Sequence, residues 1–296
     1  MKTIKELIIE SLTEVEATRD IRRKASIRRV YDAYPELRDI DNQILEVRGG
    51  RFIAVIDNDE RMIKRLDIAE EELQAKRDKI MSRNRIDPDF DIEKPVCDKC
   101  DDTGFTKGSD GTVKVCSCRK SELETCYEIS GMADYTSYKM KNYRDDYLGN
   151  APARKKIKNE LLKCMLGISE GKSSLSIYSA PPQTGKTFLS VCICKTAINL
   201  GKSAYYAKCE DLSEMGNDTI DALKRIDFLI VDDFADAVTL YKNIGSILNS
   251  VLETRLAAKL PTVFVTPFDK RELVNKCDMR ISGKLDVANV ISSEGK

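Results

Sequence analysis

Two stretches far apart in the chain carry residues suited to handling phosphate. The first runs Ala180-Pro181-Pro182-Gln183-Thr184-Gly185-Lys186-Thr187. Its end matches a phosphate-binding loop: Gly185 lets the backbone come close to an anion, Lys186 can reach the β- and γ-phosphates, and the Thr187 hydroxyl can face Mg²⁺. Its start departs from that pattern, because Ala180 stands where glycine is usual. The departure is tolerable only if the Ala180 backbone avoids positive φ. Pro181 and Pro182 remove two N–H donors, which leaves Gln183, Thr184, Gly185, Lys186 and Thr187 as the candidate nucleotide-binding residues. Taken alone, the loop also fits an ordinary turn between a strand and a helix.

The second stretch is Phe228-Leu229-Ile230-Val231-Asp232-Asp233, an apolar run closed by two acids. Adjacent carboxylates repel one another, and a bound cation relieves that repulsion. Asp232 with Thr187 is the candidate Mg²⁺ shell, and Asp233 can orient or deprotonate water. Lys186 and Asp233 are therefore the candidate catalytic pair, with ATP and Mg²⁺ as the implied cofactors. The acids turn an ambiguous loop into a candidate nucleotide site.

A third group is Cys97-x₂-Cys100, fifteen residues, then Cys116-x-Cys118. Four thiolates presented by two tight turns suit tetrahedral Zn²⁺ at about 2.3 Å per bond. Gly104, Gly108 and Gly111 would let the ribbon between them fold back, and Cys126 is an alternative fourth ligand. Cys164, Cys192, Cys194, Cys209 and Cys277 fall on helical or strand patterns and read as small core residues.

These residues need elements to hold them. From about 153 onward, strands alternate with helices. A helix over 153–168 leads to Leu175–Ser179, the loop, a helix from Lys186, and then strands over 203–208, 227–234 and 261–266. A helix over 243–259 lies between the last two strands, and another starts near Phe268. Such alternation implies a parallel sheet covered on both faces. Its carboxyl edge is where ligands bind in open α/β sheets. Residues 1 to about 92 read as helical and highly charged, with Met62, Leu66, Ala69, Leu73 and Ile80 at helical spacing. Gly49-Gly50 reads as a break between helices. The expected division is a helical domain over 1–130 containing the knuckle at 97–118, a linker over 131–152, and a nucleotide-binding domain over 153–296.

The chain has 296 residues, with 49 basic and 49 acidic side chains and no histidine. Balanced charge supplies no global attraction to nucleic acid. The lack of histidine leaves zinc to sulfur or carboxylate and removes the usual general base. No apolar run is long enough to span a membrane, and the acid-bearing N-terminus does not read as a signal peptide. Ten cysteines then point to a reducing, cytoplasmic setting. Arg22 to Arg29 can face DNA phosphates, although a solvated helix face fits better because acids lie nearby. Of Tyr205 and Tyr206, one belongs in the core and the other could stack on a base. The stretch 135–144, YTSYKMKNYR, could contact nucleic acid or lie against the core near an adenine.

Taken together, these motifs resemble the bacterial and phage helicase loaders of the DnaC/DnaI type, a branch of the AAA+ ATPases. VYDAYPELRDID, PVCDKCDDTGF…VCSC, TGKTFLS, FLIVDD, LETRL and PTVFVT carry the resemblance in family order. It implies a zinc-containing helical N-terminal domain that grips a hexameric replicative helicase, followed by an AAA+ core. ATP binding in that core would be coupled to self-association and to single-stranded DNA. Cys97, Cys100, Cys116 and Cys118 take the zinc role, and Lys186, Thr187, Asp232 and Asp233 the nucleotide roles. The location would be the bacterial cytoplasm, or the host's if the gene is a phage's. Three further departures accompany Ala180. Thr266 is followed by Pro267 where the family has asparagine, Lys284 replaces an arginine, and residues 209–226 form a shorter connection. They point to a weak ATPase, or to a non-hydrolysing adaptor or inhibitor that binds the helicase. A transposition-helper ATPase is a third reading, which the cysteine knuckle disfavours.

Overall fold

The structure is a computed structural model that describes residues 2–144, 151–168, 173–234, 244–277 and 279–292. The chain divides into two compact units, Ser11–Asp102 and Met1–Glu10 with Thr103–Lys296. The division falls inside the cysteine knuckle. It also returns residues 103–130, expected with the helical domain, to the unit that holds the sheet.

The first unit is built on three helices: α1 (Ile4–Ala33) from Ser11 onward, α2 (Pro35–Ile56) and α3 (Glu60–Asn84). Pro35 starts α2, where its missing N–H costs nothing. The Asp59 side chain caps α3 by accepting from Met62 N at 3.0 Å, and Arg85 ends it in a left-handed conformation. Leu37, Met81 and Phe90 form a small core, with Tyr31 edge-on to Phe90 at 5.7 Å. Helix α2 runs straight through Gly49-Gly50, contrary to the expected break. A helical glycine costs only about 1 kcal/mol, and Gly50 lies against Leu66 of α3, so packing outweighs propensity. The basic stretch of α1 is lined with acids: Lys24 and Arg23 pair with Asp20, and Arg28 with Asp32.

The second unit contains a hairpin, β1 (Phe105–Lys107) against β2 (Val113–Val115), then α4 (Lys120–Tyr127) and a tight turn over Glu128–Met132. Gly104 and Gly111 sit at positive φ around the hairpin. The remaining elements are α5 (Ala151–Leu166), β3 (Leu175–Ser179), α6 (Lys186–Asn199), β4 (Ala204–Lys208), α7 (Asn217–Leu223) and β5 (Phe228–Asp232). They are followed by α8 (Ile244–Ala257), β6 (Thr262–Thr266), α9 (Lys270–Lys276), α10 (Met279–Asp286) and β7 (Asn289–Ser292). The five longer strands form one parallel sheet in the order β4-β5-β6-β3-β7, an α/β architecture. Strand β7 was not anticipated, because only four residues pair and they show no clear alternation of exposure.

Successive strand residues enter opposite cores. Tyr178, Tyr206, Ile230 and Val265 pack with α5 and α6, while Ile177, Ala207, Val231 and Phe264 pack with α7 to α10. Burial on both faces is why these strands read as continuous apolar runs. Residues 131–144, expected as linker, lie in this unit, where Lys195 of α6 donates to the Tyr138 carbonyl at 3.2 Å and to that of Tyr135. Residues 145–150 of the expected linker lie outside the described residues.

Candidate functional site

Parallel pairing sets the site. Ser179 of β3 is in register with Thr266 of β6, and Lys208 of β4 with Asp232 of β5, so four strand ends reach one edge. The loop after β3 and the acids ending β5 therefore meet there, although β6 separates their strands.

The meeting is direct. Thr187 Oγ1 donates to Asp232 Oδ2 at 2.8 Å. Asp232 is fully buried, and Asp233 N donates to its Oδ1 at 2.9 Å. Lys186 Nζ donates to the carbonyls of Ala180 and Pro181, at 2.8 and 2.9 Å, so the loop closes on its own lysine. Burial lowers the Lys186 pKa, against the raising effect of Asp232 and Asp233. Burial and then the neighbouring Asp232 raise that of Asp233.

Gly185 has φ 82° and Gln183 φ 60°. A side chain at Gly185 would meet only Arg154, at 3.5 Å, so its backbone angle rather than lack of space calls for glycine. Ala180 is not among the residues at positive φ. The structure thus meets the condition under which alanine is tolerable there.

A cleft of about 660 Å³ opens beside these groups, lined by Gln183, Gly185, Lys186, Thr187 and Asp233. Tyr138, Tyr143 and Phe188 form an aromatic wall, with Tyr138 and Phe188 centroids 4.7 Å apart. The 135–144 stretch thus lies against the core beside the loop. Arg154 of α5 donates to the Thr184 carbonyl at 2.8 Å and lies 5.1 Å from the Tyr143 ring centre. Sequence reasoning missed Arg154, because nothing in KKIKNE distinguishes the arginine before it. Pro267 lines the cleft where the resemblance implied an amide. Lys284 turns onto α8, donating to Asn249 at 2.6 Å and facing Glu253 at 3.6 Å.

Tyr206 is core and Tyr205 packs at the edge of the other core. The Tyr206 hydroxyl, given no role by sequence, donates to Asp232 Oδ2 at 2.7 Å.

The sulfurs of Cys97, Cys100, Cys116 and Cys118 all lie within 4.8 Å of one another. Bonds of about 2.3 Å to a tetrahedral ion require separations of about 3.8 Å, so this all-thiol set fits one Zn²⁺. Asp102 holds the first turn, accepting from Val96 N and Cys97 N at 2.9 Å each. Cys126 is outside the cluster. It is buried in the core near Ser130, and burial pushes its pKa up to about 11.

No helix among the described residues is long and apolar enough to cross a membrane. No protein-family model matches the chain. The replicative helicase loader DnaC of Escherichia coli K12 is 22% identical over 184 residues, covering 58% of this chain and 72% of the relative. Among solved structures, DnaI matches with a TM-score of 0.44 at 18% identity, covering 59% of this chain and 97% of that one. A replication initiator DnaA, bound to AMPPCP and single-stranded DNA, matches with a TM-score of 0.44 at 15% identity, covering 54% of this chain. The match spans 51% of that DnaA chain.

Proposed function

Starting from a chain that is a distant homologue of the DnaC/DnaI-type helicase-loader AAA+ ATPases, we propose that it is an ATP-binding helicase loader acting in DNA replication. The observation that carries the reading is the 2.8 Å contact between Thr187 and Asp232, beside a cleft that Lys186 and Thr187 line. A hydroxyl and a buried carboxylate meeting beside a lysine-bearing loop are the donor set that Mg²⁺ and a triphosphate require. In this reading Gln183, Thr184, Gly185 and Lys186 hold the phosphates. Mg²⁺ supplies charge neutralisation when bound. Lys186 exchanges its two loop carbonyls for phosphate oxygens, and Asp233 orients or deprotonates water. Cys97, Cys100, Cys116 and Cys118 hold a structural Zn²⁺. The partners are a hexameric replicative helicase, single-stranded DNA and further copies of this chain in the presence of ATP, in a cytoplasmic setting.

Pro267 in the cleft and the engagement of Lys284 by Asn249 favour a second reading, an adaptor that binds nucleotide without turning it over. Steady-state ATP turnover of the full chain against Lys186→Ala separates the two. Turnover above the variant supports the enzyme, and equal rates with ATP binding retained support the adaptor. Co-purification of a replicative helicase on the tagged full chain tests the partner, and recovery of a transposase instead would overturn it.

A further inference from the structure

Asp232 has one donor that the nucleotide reading does not use. The Tyr206 hydroxyl reaches Oδ2 at 2.7 Å from the adjacent strand β4, and this residue is 2% exposed. Oδ2 also accepts Thr187 Oγ1, and Oδ1 accepts Asp233 N. With two donors on Oδ2 and one on Oδ1, rotating the carboxylate breaks at least one bond, so its plane is held before any cation arrives. A buried polar group needs such partners, but Thr187 and the Asp233 amide already satisfy one lone pair on each oxygen. The phenol adds orientation.

Tyr206 is itself held from behind. The Tyr135 ring stands edge-on to it, 5.3 Å between centroids at 78°. Gly131, at φ 79°, brings its backbone so close that an added Cβ would sit 2.0 Å from the Tyr206 carbonyl. The Tyr135 carbonyl is in turn bound by Lys195 of α6, the helix whose first turn carries Thr187. The 131–138 segment therefore braces Tyr206 from one side while α6 brings Thr187 from the other, and both converge on Asp232.

We infer that Tyr206 is a positioning residue for the cation at this site. It acts through Asp232 without touching the metal, and it makes the fit of Mg²⁺ depend on the 131–138 segment. The inference rests on the nucleotide reading above. Groups that orient metal ligands typically contribute about 10- to 100-fold in metal affinity when removed.

The test is Tyr206→Phe in the full chain, which deletes the hydroxyl and keeps the ring. A fluorescent ATP analogue is titrated with excess chelator and then at a series of Mg²⁺ concentrations, with thermal melts alongside. The expected result is a rise of about 10-fold in half-saturating Mg²⁺, a larger change than any in metal-free affinity. Tyr135→Leu should shift the same quantity in the same direction. A Tyr206→Phe protein with wild-type Mg²⁺ dependence would overturn the inference alone. So would equal losses with and without metal, because a purely structural role weakens both alike. Wild-type protein that bound no analogue at all would overturn the nucleotide reading, and the inference with it.

Discussion

Arg255 supplies a prediction with a magnitude that can be worked out. It is 0% exposed. Its guanidinium makes four hydrogen bonds: Nε to Thr262 Oγ1 at 2.8 Å, one terminal nitrogen to the Leu223 and Ile226 carbonyls at 2.7 and 2.8 Å, and the other to the Pro261 carbonyl at 2.8 Å. The side chain thereby ties α8 to the connections that lead into β5 and β6. Four bonds from a charged donor amount to roughly 6–12 kcal/mol at about 1.5–3 each. Burial works against this, lowering the arginine pKa from its ordinary 12.5 to about 10, a cost of roughly 3 kcal/mol. Some acceptors keep other partners after truncation, since the Pro261 carbonyl also accepts from Leu229 N at 3.2 Å. Arg255→Ala is therefore expected to destabilise the sheet-containing unit by about 3–5 kcal/mol. Lysine keeps the charge but cannot span four acceptors, so Arg255→Lys should lose more than about half as much. Urea unfolding followed by far-UV circular dichroism measures both; tryptophan fluorescence cannot serve, because the chain has no tryptophan. A lysine variant within about 1 kcal/mol of wild type would refute the claim that the fork geometry, rather than charge alone, does the holding.

Other tests follow from single positions. Purified chain should carry one zinc, and Cys97→Ser and Cys118→Ser should each lower the bound metal measured by elemental analysis. Unchanged stoichiometry in both would remove the site. Gly131→Ala places a Cβ 2.0 Å from a backbone oxygen at φ 79°. It should cost more than the roughly 1–2 kcal/mol of left-handed backbone strain. Gly185→Ala meets nothing closer than 3.5 Å and should cost about that strain alone. Thermal melts of the two variants rank them, and equal losses would contradict the packing at Gly131.

The sheet was legible because its strands are apolar on both faces, so Phe228–Asp232 stands out as a run that no exposed element could carry. The loop was legible because its turn needs glycine at Gly185, and the knuckle because four thiols come in two close pairs. What escaped the sequence depends on partners far along the chain. Gly49-Gly50 reads as a break until Leu66 packs against Gly50. Residues 131–144 read as linker because their anchors, Lys195 and Tyr206, come some sixty to seventy-five residues later. Arg154 reads as one more surface cation until the Thr184 carbonyl is found beside it. LETRL carries an ordinary-looking arginine whose four acceptors lie outside its own helix.

Calorimetric titration of the folded, zinc-replete chain with ATP and Mg²⁺ tests the central claim most directly. The cleft lined by Lys186, Thr187 and Asp233 predicts one binding event per chain, weakened at least about 10-fold by Lys186→Ala through loss of a charge-assisted contact. No binding to wild type, or binding that the variant keeps in full, would contradict it.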